Sequence, residues 1–250
     1  MDIALFDAFC GFGGAVPGET ARVSADDLRA EMQRLRISRA LVRIAPADLD
    51  QDAIASNKRL FTACADRPEL IPCPIVLPGS GGDVPAEEEQ VEAHLAQGCG
   101  ALWIRPGADY WSLTPWASGT LFAALEARRL PVVVVEAMVN LGQVAEIASR
   151  HPHLPLLLAG AGYRQQRTLL PLLRSFPSVH LVLGEAYAPH GGLEQLVREV
   201  GAERVLFGTG FPRTEPMCAI TYLLYSALSE EEKQLIGAAN LERLLAEVQR

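Results

Sequence analysis

Three carboxylates stand where protons could be moved: Asp7, Glu136 and Glu185 each close a short apolar run. Carboxylates gathered at one mouth divide into acid and base when burial separates their pKa values. His190, in Pro189-His190-Gly191-Gly192, adds an imidazole, whose ordinary pKa suits proton transfer near neutrality. Arg43, Arg105 and Arg213 occupy comparable points along the chain, and a guanidinium grips a carboxylate or phosphate through two parallel bonds. Two readings stay open. Either the arginines neutralise the acids in a structural ion-pair network, or they hold a small organic acid. In the second case Glu136, Glu185 or His190 is the acid/base, and Asp7, Trp103 and Tyr163 complete the ligand site with the three arginines.

Other motifs carry less chemistry. Cys10 has no assigned histidine partner and reads as a small buried hydrophobe rather than a nucleophile. Gly11-Phe12-Gly13-Gly14 follows a strand, but Val16 stands where a third dinucleotide-binding glycine belongs, so a phosphate cradle is not expected. Tyr110-Trp111-Ser112-Leu113-Thr114-Pro115-Trp116 suits a lid, a subunit interface or plain packing equally well. His151 and His153 precede a strand and belong to the far end of the fold, while His94 and His180 read as structural.

The elements that position these residues alternate regularly. Apolar, β-branched runs fall at Ile3–Asp7, Ala40–Ile44, Leu70–Leu77, Ala101–Arg105, Pro131–Glu136, Leu154–Gly160, Val179–Glu185 and Arg204–Thr209. Near-continuous apolarity is the pattern of parallel strands covered on both faces. Helical patterns separate them: Ser24 to Arg36, Gln51–Ala65, Ala86–Gln97, Ser118–Arg129, Leu141–Arg150, Gln165–Ser175 and Leu193–Val200, then Met217–Ala227 and Glu230–Val248. Ser24 with Asp27 and Ser229 with Glu232 have capping-box spacing. Eight strand–helix units in 250 residues predict a single-domain α/β fold, a (β/α)8 barrel, with an open doubly wound sheet as the alternative. In a barrel the site lies at the C-terminal ends of the strands.

Composition narrows the partners. Hydrophobic residues make up 49% of the chain and charged residues 21%, enough for one large core and incompatible with disorder throughout. Lys plus Arg is 22 against 30 Asp plus Glu, a net charge of −8 that argues against nucleic acid as a partner. No apolar stretch is long enough to span a membrane, and the N-terminus lacks the basic segment of a signal peptide. Five scattered cysteines without a C-x-x-C pair fit reduced thiols in a cytoplasmic protein.

Several passages together resemble the amidohydrolase-related family of metal-dependent hydrolases and decarboxylases. Phe6-Asp7-Ala8-Phe9-Cys10-Gly11 sits where that family has Asp-x-His-x-His. Gly100–Pro106 and Leu130–Glu136 look like its fourth and fifth strands, and His151–Gly162 like the segment ending His-x-Gly. Arg204–Pro212 resembles the Gly-Ser-Asp-x-Pro strand, and Asn240-Leu241-Glu242-Arg243-Leu244 the closing Asn-x-x-Arg-Leu helix. The resemblance implies a TIM barrel and a divalent-metal hydrolase, yet the ligand positions read Phe9, Gly11, Glu136, Gly160 and Gly210. Phenylalanine and glycine side chains offer no lone pair to a metal. The expectation is a barrel without metal or other cofactor, a pseudoenzyme that binds a small organic acid and pairs with itself or with an active relative. The alternative is a metal-independent hydrolase or lyase acting on such an acid.

Overall fold

The apolar runs become parallel strands because each is covered on both faces, so no position along them has to be polar. The computed structural model describes residues 3–49, 52–184 and 187–250. The strands are β1 (Leu5–Phe12), β2 (Ile37–Ile44), β3 (Leu70–Pro72), β4 (Leu102–Ile104), β5 (Val132–Val135), β6 (Leu156–Ala159), β7 (Val179–Val182) and β8 (Val205–Leu206). The helices are α1 (Ala25–Leu35), α2 (Ala53–Cys64), α3 (Glu87–Ala96), α4 (Pro115–Ala127), α5 (Leu141–Arg150), α6 (Gln166–Ser175), α7 (Gly192–Val200), α8 (Pro216–Leu224), α9 (Glu230–Gln234) and α10 (Asn240–Ala246). Both capping boxes form, at Ser24–Asp27 and Ser229–Glu232.

Regular ladders run through β1-β2-β3 and through β4-β5-β6-β7-β8, all parallel. Bonds outside those ladders close both seams. Trp103 N donates to Pro74 O at 2.8 Å and Val76 N to Trp103 O at 3.1 Å, joining the chain after β3 to β4. Ala8 N donates to Phe207 O at 2.8 Å and Gly210 N to Phe9 O at 2.7 Å, joining β8 to β1. The sheet is therefore a closed barrel, and the open-sheet alternative falls. Phe6, Leu41, Trp103, Val133, Leu157 and Leu206 pack together inside it, while a larger apolar layer separates strands from helices.

Three predicted boundaries move for identifiable reasons. The first strand runs on past Asp7 to Phe12, paired with β2 through Gly11 and Phe12. The third is cut to Leu70–Pro72 because Pro72 and Pro74 donate no backbone bond, and the chain rejoins the barrel through an Ile75–Trp103 bridge. The predicted helix Glu230–Val248 is interrupted by a π-helical turn at Leu235–Ala239. There Gly237 lies so close to β1 that a Cβ would sit 2.5 Å from Ala4 O, and Ile236 O accepts from Phe207 N at 2.9 Å. Asn240 then ties the base of β8, its Nδ2 donating to Ala202 O and Val205 O at 2.8 and 2.9 Å. No helix among the described residues is long and apolar enough to cross a membrane.

Two histidines are held neutral by the packing. His94 on α3 stacks on Phe61 of α2 with ring centroids 5.7 Å apart, and His180 lies buried on β7. Burial pushes His94 down to about 4; burial, with Arg204 and Arg243 nearby, pushes His180 down to about 3. Each imidazole takes up a proton near pH 6.5 in the unfolded chain but not in the folded one, so this contribution to stability falls as pH drops. We expect up to about 1.4 kcal/mol per pH unit for each imidazole below pH 6.5, down to its folded value. Urea unfolding at a series of pH values checks this, and His180→Leu should remove one proton from the slope.

Candidate functional site

Asp7 is 2% exposed and reaches from β1 to the chain leaving β8. Its Oδ1 accepts from Phe9 N at 2.9 Å and from Thr209 N at 3.0 Å, and its Oδ2 accepts the Thr209 hydroxyl. Thr209 Oγ1 in turn accepts from Phe211 N at 3.1 Å. Burial raises the Asp7 carboxyl above its ordinary range, and these hydrogen bonds oppose the rise. The expected ligand-binding role for Asp7 is not what the structure shows: its oxygens are occupied by the seam between the last strand and the first.

Above that seam a cavity of about 480 Å³ opens at the C-terminal ends of the strands. Its wall is mostly apolar, including Phe9, Ala45, Val135, Met138, Phe211 and Pro212, with Gly11, Gly14, Gly160 and Gly210 supplying room by lacking side chains. Two cations line it, Arg43 from β2 and Arg213 from the loop after β8. Arg43 is only 8% exposed, and among the described residues no carboxylate pairs with it. Its Nε is buried without a hydrogen-bond partner. The guanidinium lies 3.8 Å from the Phe9 ring centroid and 5.0 Å from that of Trp103. Burial lowers its pKa to about 10, so it stays charged at neutral pH. Two aromatic faces offset part of the cost of a buried cation, about 0.5–2 kcal/mol each, but not the several kcal/mol of desolvation.

The remaining expected residues divide. Trp103 lines the cavity with its indole Nε1 buried and unpartnered. Arg105 does not reach the cavity; it forms an ion pair with Asp109 four residues on, its Nε donating to Oδ2 at 3.0 Å. Glu136 opens a short 3-10 turn (Glu136–Met138) and accepts the Gln165 side-chain amide, outside the cavity wall. His190 and Tyr163 are exposed away from it. Glu185 lies outside the described residues. In the aromatic loop Trp111 packs against the core, while Tyr110 and Trp116 are 96% and 84% exposed and do not line the cavity. The His151 ring and the His153 backbone N–H both engage Glu126 at the far end of the barrel, as their position before β6 implied. Cys10 is buried beneath the site, and burial pushes its thiol up. The residue that sequence reasoning missed is Phe9, the platform under Arg43. The β1–β2 register, which sets Gly11 beside Arg43, brings them together.

A family model described as Amidohydrolase matches residues 13–246. The chain belongs to the amidohydrolase family. No curated protein matches its sequence. Its fold is shared with a TIM-barrel protein of Bordetella bronchiseptica, at a TM-score of 0.75, 15% identity, and coverage of 99% of this chain and 100% of that one. A 2,6-dihydroxybenzoate decarboxylase from Rhizobium superposes with a TM-score of 0.72 at 16% identity, covering 97% of this chain and 98% of its own. A dihydroxybenzoic acid decarboxylase from Polaromonas sp. JS666, solved with manganese and 2-nitroresorcinol, gives 0.74 at 14%, with 97% of each chain covered.

The described residues of this site do not fit a divalent ion. The cavity wall, among the described residues, offers no imidazole, carboxylate or thiolate, and it carries two positive charges that repel a cation. No cluster of three or more His, Cys, Asp or Glu that could hold a metal occurs among the described residues. At Gly11 a Cβ would lie 2.3 Å from Arg43 O, so the backbone closes that position to any larger residue.

The seam carries its own test. Asp7→Ala leaves three buried donors without an acceptor and should cost about 2–4 kcal/mol. Thermal unfolding measures the loss, and Asp7→Asn, which keeps one acceptor oxygen, should recover part of it.

Proposed function

We propose that the barrel binds a small organic acid, without a divalent ion and without hydrolysing it, and is in that sense a pseudoenzyme of its family. The ligand carboxylate sits on Arg43, and its apolar part lies against Phe9, Trp103 and Met138. One observation carries this reading: a buried guanidinium with no carboxylate partner among the described residues faces a large apolar cavity. A carboxylate there forms charge-assisted bonds in a low-dielectric site, which is worth more than the same contact in water. The absence of an acid, imidazole or thiol from the described cavity wall supports binding over turnover.

A second reading, a metal-independent lyase or hydrolase acting on an organic acid, draws support from the names of the two decarboxylases that share the fold. It requires a proton donor or acceptor at the ligand. Glu136 is engaged by Gln165 and His190 lies in solvent, so neither supplies it as placed.

Benzoate and related acids should raise the melting temperature in a concentration-dependent way. Arg43→Met should weaken binding by about 30-fold or more, as expected when one partner of a buried charge pair is lost. The same substitution should leave the ligand-free protein equally stable or more so, because it removes a buried charge with no counter-ion. Loss of stability with unchanged binding would refute the assignment. Product formation during incubation with the bound acid would favour the lyase reading. Elemental analysis of protein dialysed against zinc and manganese should find well below one ion per chain, and one tightly held ion would overturn the metal-free reading.

A further inference from the structure

Residues 216–228, which hold α8 and the turn after it, contain no charged side chain, in a chain of which 21% is charged. Ala219, Ile220 and Leu223 are buried and seat the helix on the barrel. The opposite side of α8 is uncharged as well. Met217, Cys218, Thr221, Leu224 and Tyr225 are all exposed, Tyr225 at 87%. Their spacing of i, i+1, i+4, i+7 and i+8 sets them in one stripe along the helix. A surface helix ordinarily turns charged and polar residues outward, and a contiguous apolar patch left in water marks a contact surface. The stripe is symmetric in position about Thr221: Met217 and Cys218 lie four and three residues before it, Leu224 and Tyr225 three and four after it.

We infer that this stripe pairs with the same stripe of a second copy of the chain, the two α8 helices crossing antiparallel about a two-fold axis at Thr221. An axis there sets Met217 against the partner's Tyr225 and Cys218 against the partner's Leu224. The short Thr221 side chains then meet at the crossing, where packed helices approach most closely. Charge selects the antiparallel arrangement. Glu215 stands at the N-terminal end of α8 and accepts from Met217 N at 3.3 Å. Lys233 stands at the C-terminal end, its amine donating to Leu224 O at 2.9 Å, and it has no carboxylate partner among the described residues. Antiparallel pairing brings each Glu215 toward the partner's Lys233 and opposes the two helix dipoles, whereas parallel pairing would bring like charges and like helix ends together. Between those ends the stripe holds no charge to repel its own copy, and none by which a charged partner could be steered or selected.

Sedimentation velocity of the full chain over a range of concentrations tests the pairing. Expected is a monomer–dimer equilibrium that moves toward monomer on dilution. Thr221→Lys sets two ammonium groups against each other at the crossing and should weaken the dimer by at least about tenfold. Tyr225→Ser removes the largest side chain of the stripe and should weaken it by about tenfold. Both residues are exposed, so an unchanged circular-dichroism spectrum shows that the fold of each variant is intact. Cysteine oxidation reads the register. In a Cys218→Ser background, Thr221→Cys should form an intermolecular disulfide on the axis, whereas Cys218 of the unaltered chain, opposite the partner's Leu224, should not. A monomer at every concentration overturns the inference and leaves the stripe to a different partner. A dimer that survives Thr221→Lys unchanged, or one that cross-links through Cys218 rather than through position 221, overturns it as well. So do species that keep growing beyond the dimer, because a two-fold contact closes on itself.

Discussion

The seam between the last strand and the first is the constraint on which the site depends. β8 is two residues long, too short to hold itself against β1 by a regular ladder. The join is made instead by Asp7, whose two oxygens take bonds from Phe9 and Thr209, and by backbone bonds on either side. From below, the π-helical turn and Asn240 fix the same strand. With β8 anchored at both ends, the chain after it is placed so that Gly210, Phe211, Pro212 and Arg213 face the cavity. The acid that looks most like a functional group at the end of the first apolar run thus works as a fastener, holding the functional surface in register.

Among the described residues, the electrostatics inside the barrel mouth run opposite to what a metal site needs. A divalent ion requires converging negative or lone-pair donors, and the wall presents aromatic rings, glycines and two guanidinium groups. Arg43 is stabilised by the faces of Phe9 and Trp103, yet its Nε is left without a hydrogen-bond partner. Positive charge is therefore built into the cavity wall itself. The rest of the cavity wall is mostly apolar.

Much of this fold was legible in the sequence. Continuous apolarity marked all eight strands, and serine–acid spacings marked two helix starts that form as expected. The boundaries that moved did so where a tertiary contact overrode local pattern: the prolines at 72 and 74, the bend at Gly237 against β1, the pairing that carries β1 through Gly11. Closure itself could not be read, because it rests on bonds between residues about 200 positions apart, such as Asp7 and Thr209. In the site, Arg43, Trp103 and Arg213 were visible as strand-end residues of the right chemistry. Arg105 and Glu136 looked equivalent in sequence, and only the structure shows that Asp109 and Gln165 occupy them. The stack of Arg43 on Phe9 depends on cross-strand register, which no linear spacing encodes.

The glycines of the mouth have a consequence for any attempt to place larger side chains there. Gly11 abuts the Arg43 carbonyl, and Gly210 has φ of +73° with Thr214 Oγ1 2.6 Å from where a Cβ would be. A larger residue at Gly11 would force the main chain of β2 to move, and one at Gly210 would sit in the left-handed region against the Thr214 side chain. At both points the backbone, and not only the side chain, fixes what the mouth can hold. A redesign of this mouth therefore starts more easily from the two arginines already in its wall than from these glycines.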